Sequence, residues 1–271
     1  MLAILAAVLL GRRIARPVIQ LSAAASHIGK LEISETAELP GSLFRELNDQ
    51  ARAFNEMLRG LRWFEIYLPK KLVGRLISDD AAMPASVERE VTVMFTDIVG
   101  FTGLSEGSPA PEIAEFLNRH FALLAACIED EDGTVDKFIG DSIMAFWGAP
   151  DQLPDHAERA SRAVAVDAEN ENRRAAGEPP VRVRIGLHSG PVTVGNIGAP
   201  GRINYTIIGD TVNIAQRLEQ LGKEVEIGES AVVVLVSAAT AERLGPEITC
   251  SALGGFQLRG RNATIDVFRL G

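Results

Sequence analysis

Two aspartates stand where a charged site could form. Asp97 closes an apolar, β-branched run, Val91-Thr-Val-Met-Phe-Thr96, and Asp141 sits in the Gly140-Asp141 step between the runs 134–139 and 142–147. Two carboxylates brought to one place repel unless a cation lies between them. Oxygen donors with no Cys or His beside them suit Mg²⁺ or Mn²⁺ and not Zn²⁺. Gly100 and Gly103 follow Asp97 closely, and a backbone without Cβ can turn its N–H groups to a phosphate. Taken singly, each aspartate reads as a cap or turn residue; as a pair they read as a metal–phosphate site. Asn213 and Arg217 lie four apart after Asp210, an expected N-cap. That spacing puts an amide and a guanidinium on one helix face, able to hold a sugar and a phosphate, or simply a solvated face.

The elements that must position these residues follow in order. A strand covers 90–96, and a helix is expected from about 109 to 129, with Ser108 as N-cap and Pro109 at its first position. A hairpin joins 134–139 to 142–147 through the Gly-Asp step. A second helix covers about 154–174 and a strand 181–188, with a buried strand at 231–236. The order βαββαβ is the ferredoxin-like split unit of an α+β fold. A helix connects the first and second strands, so they run parallel. Asp97 and Asp141 then emerge at the same sheet edge.

The first 60 residues read differently. Met1–Leu10 is continuously apolar, about half of the roughly 20 residues a membrane-spanning helix needs. Arg12, Arg13 and Arg16 follow it, the pattern of a cytoplasmic flank. Residues 1–11 are therefore expected to be the inner end of a transmembrane helix, with a buried N-terminal helix as the alternative. Apolar residues then recur at Ile14, Val18, Leu21, Ala25 and Ile28, and again at Phe44, Leu47, Ala51, Phe54, Leu58 and Leu61. Steps of three and four are a coiled-coil seam, and two such helices in a dimer make a four-helix bundle. Trp63, Phe64 and Tyr67 crowd the turn before Pro69, where packing at a joint is expected.

Composition sets outer limits. The 271 residues are 46% apolar, enough for a sizeable core, and carry a net charge of −9, a poor match for a nucleic-acid polymer. Two cysteines cannot form a disulfide framework and fit a reducing compartment.

Two resemblances extend this reading. Arg16-Pro17-Val-Ile-Gln-Leu21 and Arg45-Glu46-Leu47-Asn-Asp-Gln-Ala51-Arg-Ala-Phe54-Asn55-Glu-Met57-Leu58 resemble the two helices of a HAMP relay, found just inside the membrane in bacterial receptors. Val93–Thr102, Asp136–Asp141, Arg184–Gly190 and Gly209–Arg217 resemble, in family order, the motifs of class III nucleotide cyclases. The implied organisation is a membrane stub at 1–11, a HAMP relay at 12–60, a coupling helix and linker at 61–87, and a catalytic domain at 88–271. The resemblance implies that Asp97, Asp141 and the Ile98 carbonyl hold two divalent ions. It implies that the backbone of Gly100, Phe101 and Thr102 cradles phosphates. Lys137 and Thr206 match the base-reading pair, in the Lys/Thr subgroup. Asn213 matches the ribose-orienting residue, Arg217 the transition-state arginine and Arg261 a basic residue on the triphosphate. The family shares its sites between protomers, which implies a homodimer; the apolar run with its following arginines and the relay resemblance imply a place at the cell membrane with both domains facing the cytoplasm.

Hydrogen-bond logic assigns the base. Lys137 only donates and suits adenine N1, while the Thr206 hydroxyl can accept from N6. Guanine N1–H would face an ammonium. ATP is therefore the expected substrate, with a guanylate cyclase and a silent cyclase-like dimerisation module as the alternatives.

Overall fold

The computed structural model describes residues 1–30, 32–65, 86–164, 170, 180–199, 201–225, 232–258 and 264–271. Tyr67, Pro69, Ala231, Arg261 and much of the C-terminal half of the expected second helix lie outside them. The chain divides into two compact units, Met1–Met83 and Pro84–Gly271.

In the first unit α1 (Leu2–Gly29) and α2 (Arg45–Glu65) are joined by a connector that runs back along α2. Arg62 Nη2 donates to the Thr36 carbonyl at 2.6 Å. Asn55 clasps the Leu39 backbone, accepting from its N–H at 2.8 Å and donating to its carbonyl at 3.0 Å. Ser42 N–H donates to Asn48 Oδ1. As the connector advances, its partners retreat along α2, so α1 and α2 run in the same direction. Their shared core is Ala24, Ile33, Phe54 and Leu58, flanked by Leu21, Ile28, Leu39 and Leu61. The α2 seam is covered throughout, but on α1 Ile14, Val18 and Ala25 stay exposed and Ala24 is buried instead of Ala25. Trp63 and Phe64 are likewise exposed. Among the described residues no helix is long and apolar enough to cross a membrane.

The second unit is built on one mixed sheet. Its elements are β1 (Val87–Ile98), α3 (Phe101–Gly107), α4 (Ala110–Asp130), β2 (Thr134–Ile139), β3 (Ser142–Trp147), α5 (His156–Arg162), β4 (Val183–Ala199), β5 (Arg202–Ile208), α6 (Asp210–Leu221), β6 (Val232–Ser237), α7 (Ala238–Ala241), β7 (Cys250–Gln257) and β8 (Thr264–Leu270). The strand order is β2-β3-β1-β4-β6-β8-β7, with β5 also on β4. Among the pairings of described strands, only β4–β6 is parallel. β1 opposes β3 and β3 opposes β2, so β1 and β2 share a direction, as the helical crossover requires.

Alternation along the strands feeds two cores. Met94, Ile98, Ile143, Ala145, Trp147 and Ile185 face α4 and α5, where α4 presents Phe116, Leu117, His120, Phe121, Leu124 and Ile128 at helical spacing. Val91, Val93, Phe95, Met144 and Phe146 face the other way and meet Val192, Tyr205, Ile207 and Ala215. Each fully buried side chain of this kind contributes about 1.5–3 kcal/mol. β5 is thus folded back across β1 and β3. α6 covers the rest of that face with Ile214, Leu218 and Leu221.

Several boundaries differ from the expectations. Pro109, not Ser108, occupies the N-cap of α4, and Gly209, not Asp210, that of α6. The short helix α3 fills the stretch between Asp97 and Ser108 because Phe101 finds room against the core. β4 runs on to Ala199 through glycines that look like turn signals.

Candidate active site

Asp97 and Arg184 are cross-strand partners on β1 and β4, on the face covered by α6. Arg184 Nη2 donates to Asp97 Oδ2. Its Nε lies 3.5 Å from Glu219 Oε1 on α6, and its side chain is buried. Asp141 reaches the same place from the β2–β3 turn. Gly140 alone of the two turn residues has positive φ, 64°, the type II′ pattern that matches strand twist. Asp141 Oδ2 accepts from the Ile98 N–H at 3.2 Å. Burial pushes the Asp141 carboxyl above its ordinary range, and the charge of Asp97 adds to this. Glu219 is pushed to about 7, first by burial and then by Asp97, with Lys223 and Arg184 opposing. Three carboxylates thus share one edge with one buried guanidinium.

Asp141, whose ionisation is made costlier by the charge of Asp97, forms with Asp97 an all-oxygen donor set that fits a hard divalent cation. Among the described residues no group of three or more His, Cys, Asp or Glu side chains is placed to hold a metal, so further ligands would come from backbone, water or substrate. Gly100 is the N-cap of α3. Phe101 turns its ring to the core, so this stretch offers the site its backbone, including first-turn N–H groups with no partner inside the helix. Thr102 lies on the exposed side of that turn.

A second cluster forms around Thr206. β2 carries an irregularity between Val135 and Lys137. In a regular strand neighbours face opposite ways, but this bulge lets both Asp136 and Lys137 reach β5. Lys137 Nζ donates to Thr206 Oγ1 at 3.3 Å. Thr206 donates to Asp136 Oδ2 at 2.7 Å. Lys137 Nζ also lies 3.3 Å from Asp136 Oδ2. Burial raises the Asp136 carboxyl, against the pull of Thr206 and Lys137. Phe138 and Ile139, which follow Lys137 on β2, and Ile203 and Ile208, which flank Thr206 along β5, are exposed.

Asn213 and Arg217 project from α6 away from its packed face, Asn213 exposed and Arg217 half-buried. Among the described residues, no hydrogen bond or ion pair joins the Asp97–Asp141 cluster to the Lys137–Thr206 cluster. The structure therefore brings Asp97 together with Asp141 and Lys137 together with Thr206, and leaves Asn213 and Arg217 apart from both pairs on α6. It also adds Arg184, Glu219 and Asp136, which sequence reasoning left without a role. A charge inside the apolar run Val183-Arg-Ile185 is costly unless paired, and that was the available signal for Arg184.

A mixed sheet of this topology, with paired aspartates at one edge, defines a nucleotide-cyclase class of domain. Residues 83–270 match the adenylate and guanylate cyclase catalytic domain, and the chain belongs to that family. Adenylate cyclase 1 of Rhizobium meliloti (strain 1021) is 35% identical over 274 aligned residues, covering 99% of this chain and 40% of that protein. The chain spans about two fifths of the length of the curated relatives it matches. The crystal structure of the adenylyl cyclase CyaB from P. aeruginosa is similar at a TM-score of 0.62 and 31% identity, over 69% of this chain and 96% of that one. The guanylyl cyclase Cya2 is similar at 0.61 and 29%, over 69% and 94%.

Proposed function

We propose that the second unit is an adenylate cyclase converting ATP to 3′,5′-cyclic AMP and pyrophosphate. The observation that carries this reading is the meeting of Lys137 with Thr206 at 3.3 Å. A donor-only ammonium beside a hydroxyl matches adenine N1 and N6, and opposes guanine N1–H. The ATP 3′-oxygen attacks the α-phosphorus in line. The O3′–Pα bond forms, the Pα–O bond to the β-phosphate breaks, and pyrophosphate leaves. The 3′-hydroxyl proton passes to water or to a substrate phosphate.

Asp97, Asp141 and the Ile98 carbonyl would hold two divalent cations, Mg²⁺ or Mn²⁺. When bound, these supply Lewis-acid compensation of phosphate and alkoxide charge. Arg217 stabilises charge developing on the reacting phosphate, Asn213 orients the ribose, and the backbone of Gly100, Phe101 and Thr102 faces the phosphates. Arg184 sets a positive group beside this polyanion, and Arg261 is assigned to the triphosphate by motif alone.

The two sets of residues act together across a homodimer, one protomer supplying the aspartates and the other Lys137, Thr206, Asn213 and Arg217. The exposed apolar side chains flanking Lys137 and Thr206 support burial against a second copy. Residues 12–60 act as a HAMP-type relay. The like-directed helices and the uncovered part of the α1 seam, Ile14, Val18 and Ala25, support this reading. Attachment to the cell membrane through the N-terminal helix, with both units in the cytoplasm, rests on the apolar Met1–Leu10 run and its following arginines.

The test is turnover by purified full chain with Mn²⁺ and either ATP or GTP. Cyclic AMP from ATP, at several-fold higher kcat/KM than cyclic GMP from GTP, is the expected result. Preference for GTP would convert the reading to a guanylate cyclase, and no product from either would leave a silent dimerisation module.

A further inference from the structure

Thr206 is hydrogen-bonded in a way that leaves it one role towards a base. A hydroxyl has one proton and two lone pairs. The proton is spent on Asp136 Oδ2 at 2.7 Å, and one lone pair takes Lys137 Nζ at 3.3 Å. A single lone pair remains. The Asp136 side chain is 1% exposed, and its second oxygen, Oδ1, is buried with no hydrogen-bond partner. A buried acceptor is expensive to leave unpaired, so the Thr206 bond to the other oxygen is one the site cannot readily give up. Asp136 reaches Thr206 only because of the β2 bulge.

We propose that Asp136 is a specificity-determining positioning residue. By holding the Thr206 proton it forces Thr206 to present only an acceptor to the base, matching the N6 amino group of adenine and opposing the O6 of guanine. Without Asp136 the hydroxyl can rotate and donate to O6. The inference rests on the adenine-reading role of Lys137 and Thr206 proposed above and extends it to a residue that touches no substrate.

The experiment compares kcat/KM for ATP and for GTP in the full chain with Mn²⁺. Asp136→Ala is expected to lower the ATP/GTP ratio about tenfold, the size of one hydrogen-bond preference of roughly 1.4 kcal/mol. Asp136→Leu fills the space without an acceptor. It is expected to do the same, and serves should the Ala cavity unfold the strand. Thr206→Val removes the hydroxyl and is expected to lower the ratio by itself. Adding Asp136→Ala to Thr206→Val is expected to change the ratio no further, because the effect passes through that hydroxyl. A proportional loss for both nucleotides, with the ratio intact, overturns the inference and leaves the adenine reading standing. The same holds for an equal drop in the ratio with and without the Thr206 hydroxyl. A wild-type chain that prefers GTP overturns the adenine reading, and the inference with it.

Discussion

Arg184 lies between Asp97 and Glu219, so its guanidinium is the buried counter-charge for two acids. Removing one member of a buried ionic cluster strands the others, at a cost of about 3–5 kcal/mol. Glu219 adds a pH dependence. Its carboxyl stands at about 7 in the folded chain against an ordinary 4.5. The folded state therefore keeps a proton that the unfolded state has lost, and stability falls as pH rises through that window. Without Arg184 the ionised form of Glu219 loses a neighbour that favours it, so the loss deepens with pH. Arg184→Met, followed by urea unfolding in the presence of a chelator, is expected to be destabilised by roughly 3–5 kcal/mol at pH 8 and clearly less at pH 5.5. Equal losses at both pH values would show that the guanidinium is not the counter-ion. At this scale the sequence discloses residue types but not their company. Asp97 and Asp141 could be paired because strand direction follows from the crossover. Glu219 could not be joined to Asp97, because that depends on where α6 comes to rest.

α6 comes to rest where Gly186 admits it. A Cβ on Gly186 would lie 2.3 Å from both the Ala215 carbonyl oxygen and the Glu219 nitrogen. These are backbone atoms that cannot swing aside, so the helix must lift off β4. Gly186→Ala is expected to cost about 3 kcal/mol, at the upper end for overpacking, and to lower the melting temperature of the second unit. The same lift would carry Glu219 from Arg184 and shift Arg217, so turnover should fall more than stability alone explains. An unchanged melting temperature would mean that the close approach is not maintained in solution. Gly195 and Gly198 show why this part of the fold was hard to read. Their Cβ atoms would strike Ser86 and Arg202, so these glycines mark close approach where sequence pattern suggests turns. The strand expected at 181–188 stops before both of them, and β5 has no expected counterpart. The hairpin at Gly140-Asp141 was legible because a two-residue turn between alternating runs has few other solutions. The bulge that turns Asp136 towards Thr206 has no such signature, since one extra residue in a strand leaves the apolar pattern nearly unaltered.

At the scale of the whole molecule, one chain carries every residue of the proposed site, yet among the described residues the Asp97–Asp141 pair and the Lys137–Thr206 pair stand apart. The proposed sharing of the site across a two-fold axis would bring them together, and C2 symmetry then requires two equivalent sites per dimer. Asp97→Ala spoils the set one protomer lends, and Arg217→Ala spoils the set lent by the other. A homodimer of either variant has no intact site and should be inactive. In a heterodimer both lesions fall in one site, which leaves the other whole. When equal amounts of the two chains are co-expressed and assort randomly, half of the dimers are mixed and each has one working site. Cyclic AMP production should therefore return to about one quarter of the wild-type value per chain. Separately purified variants should recover it only as fast as subunits exchange. If the mixture stays as inactive as its components while size-exclusion chromatography shows dimers, the site is not shared. The uncovered seam of α1 bears on the same experiment. If Ile14 and Val18 pack against a second copy, full-length chains should hold their dimers at lower concentration than residues 88–271 do, and complementation should persist on dilution in the longer chain.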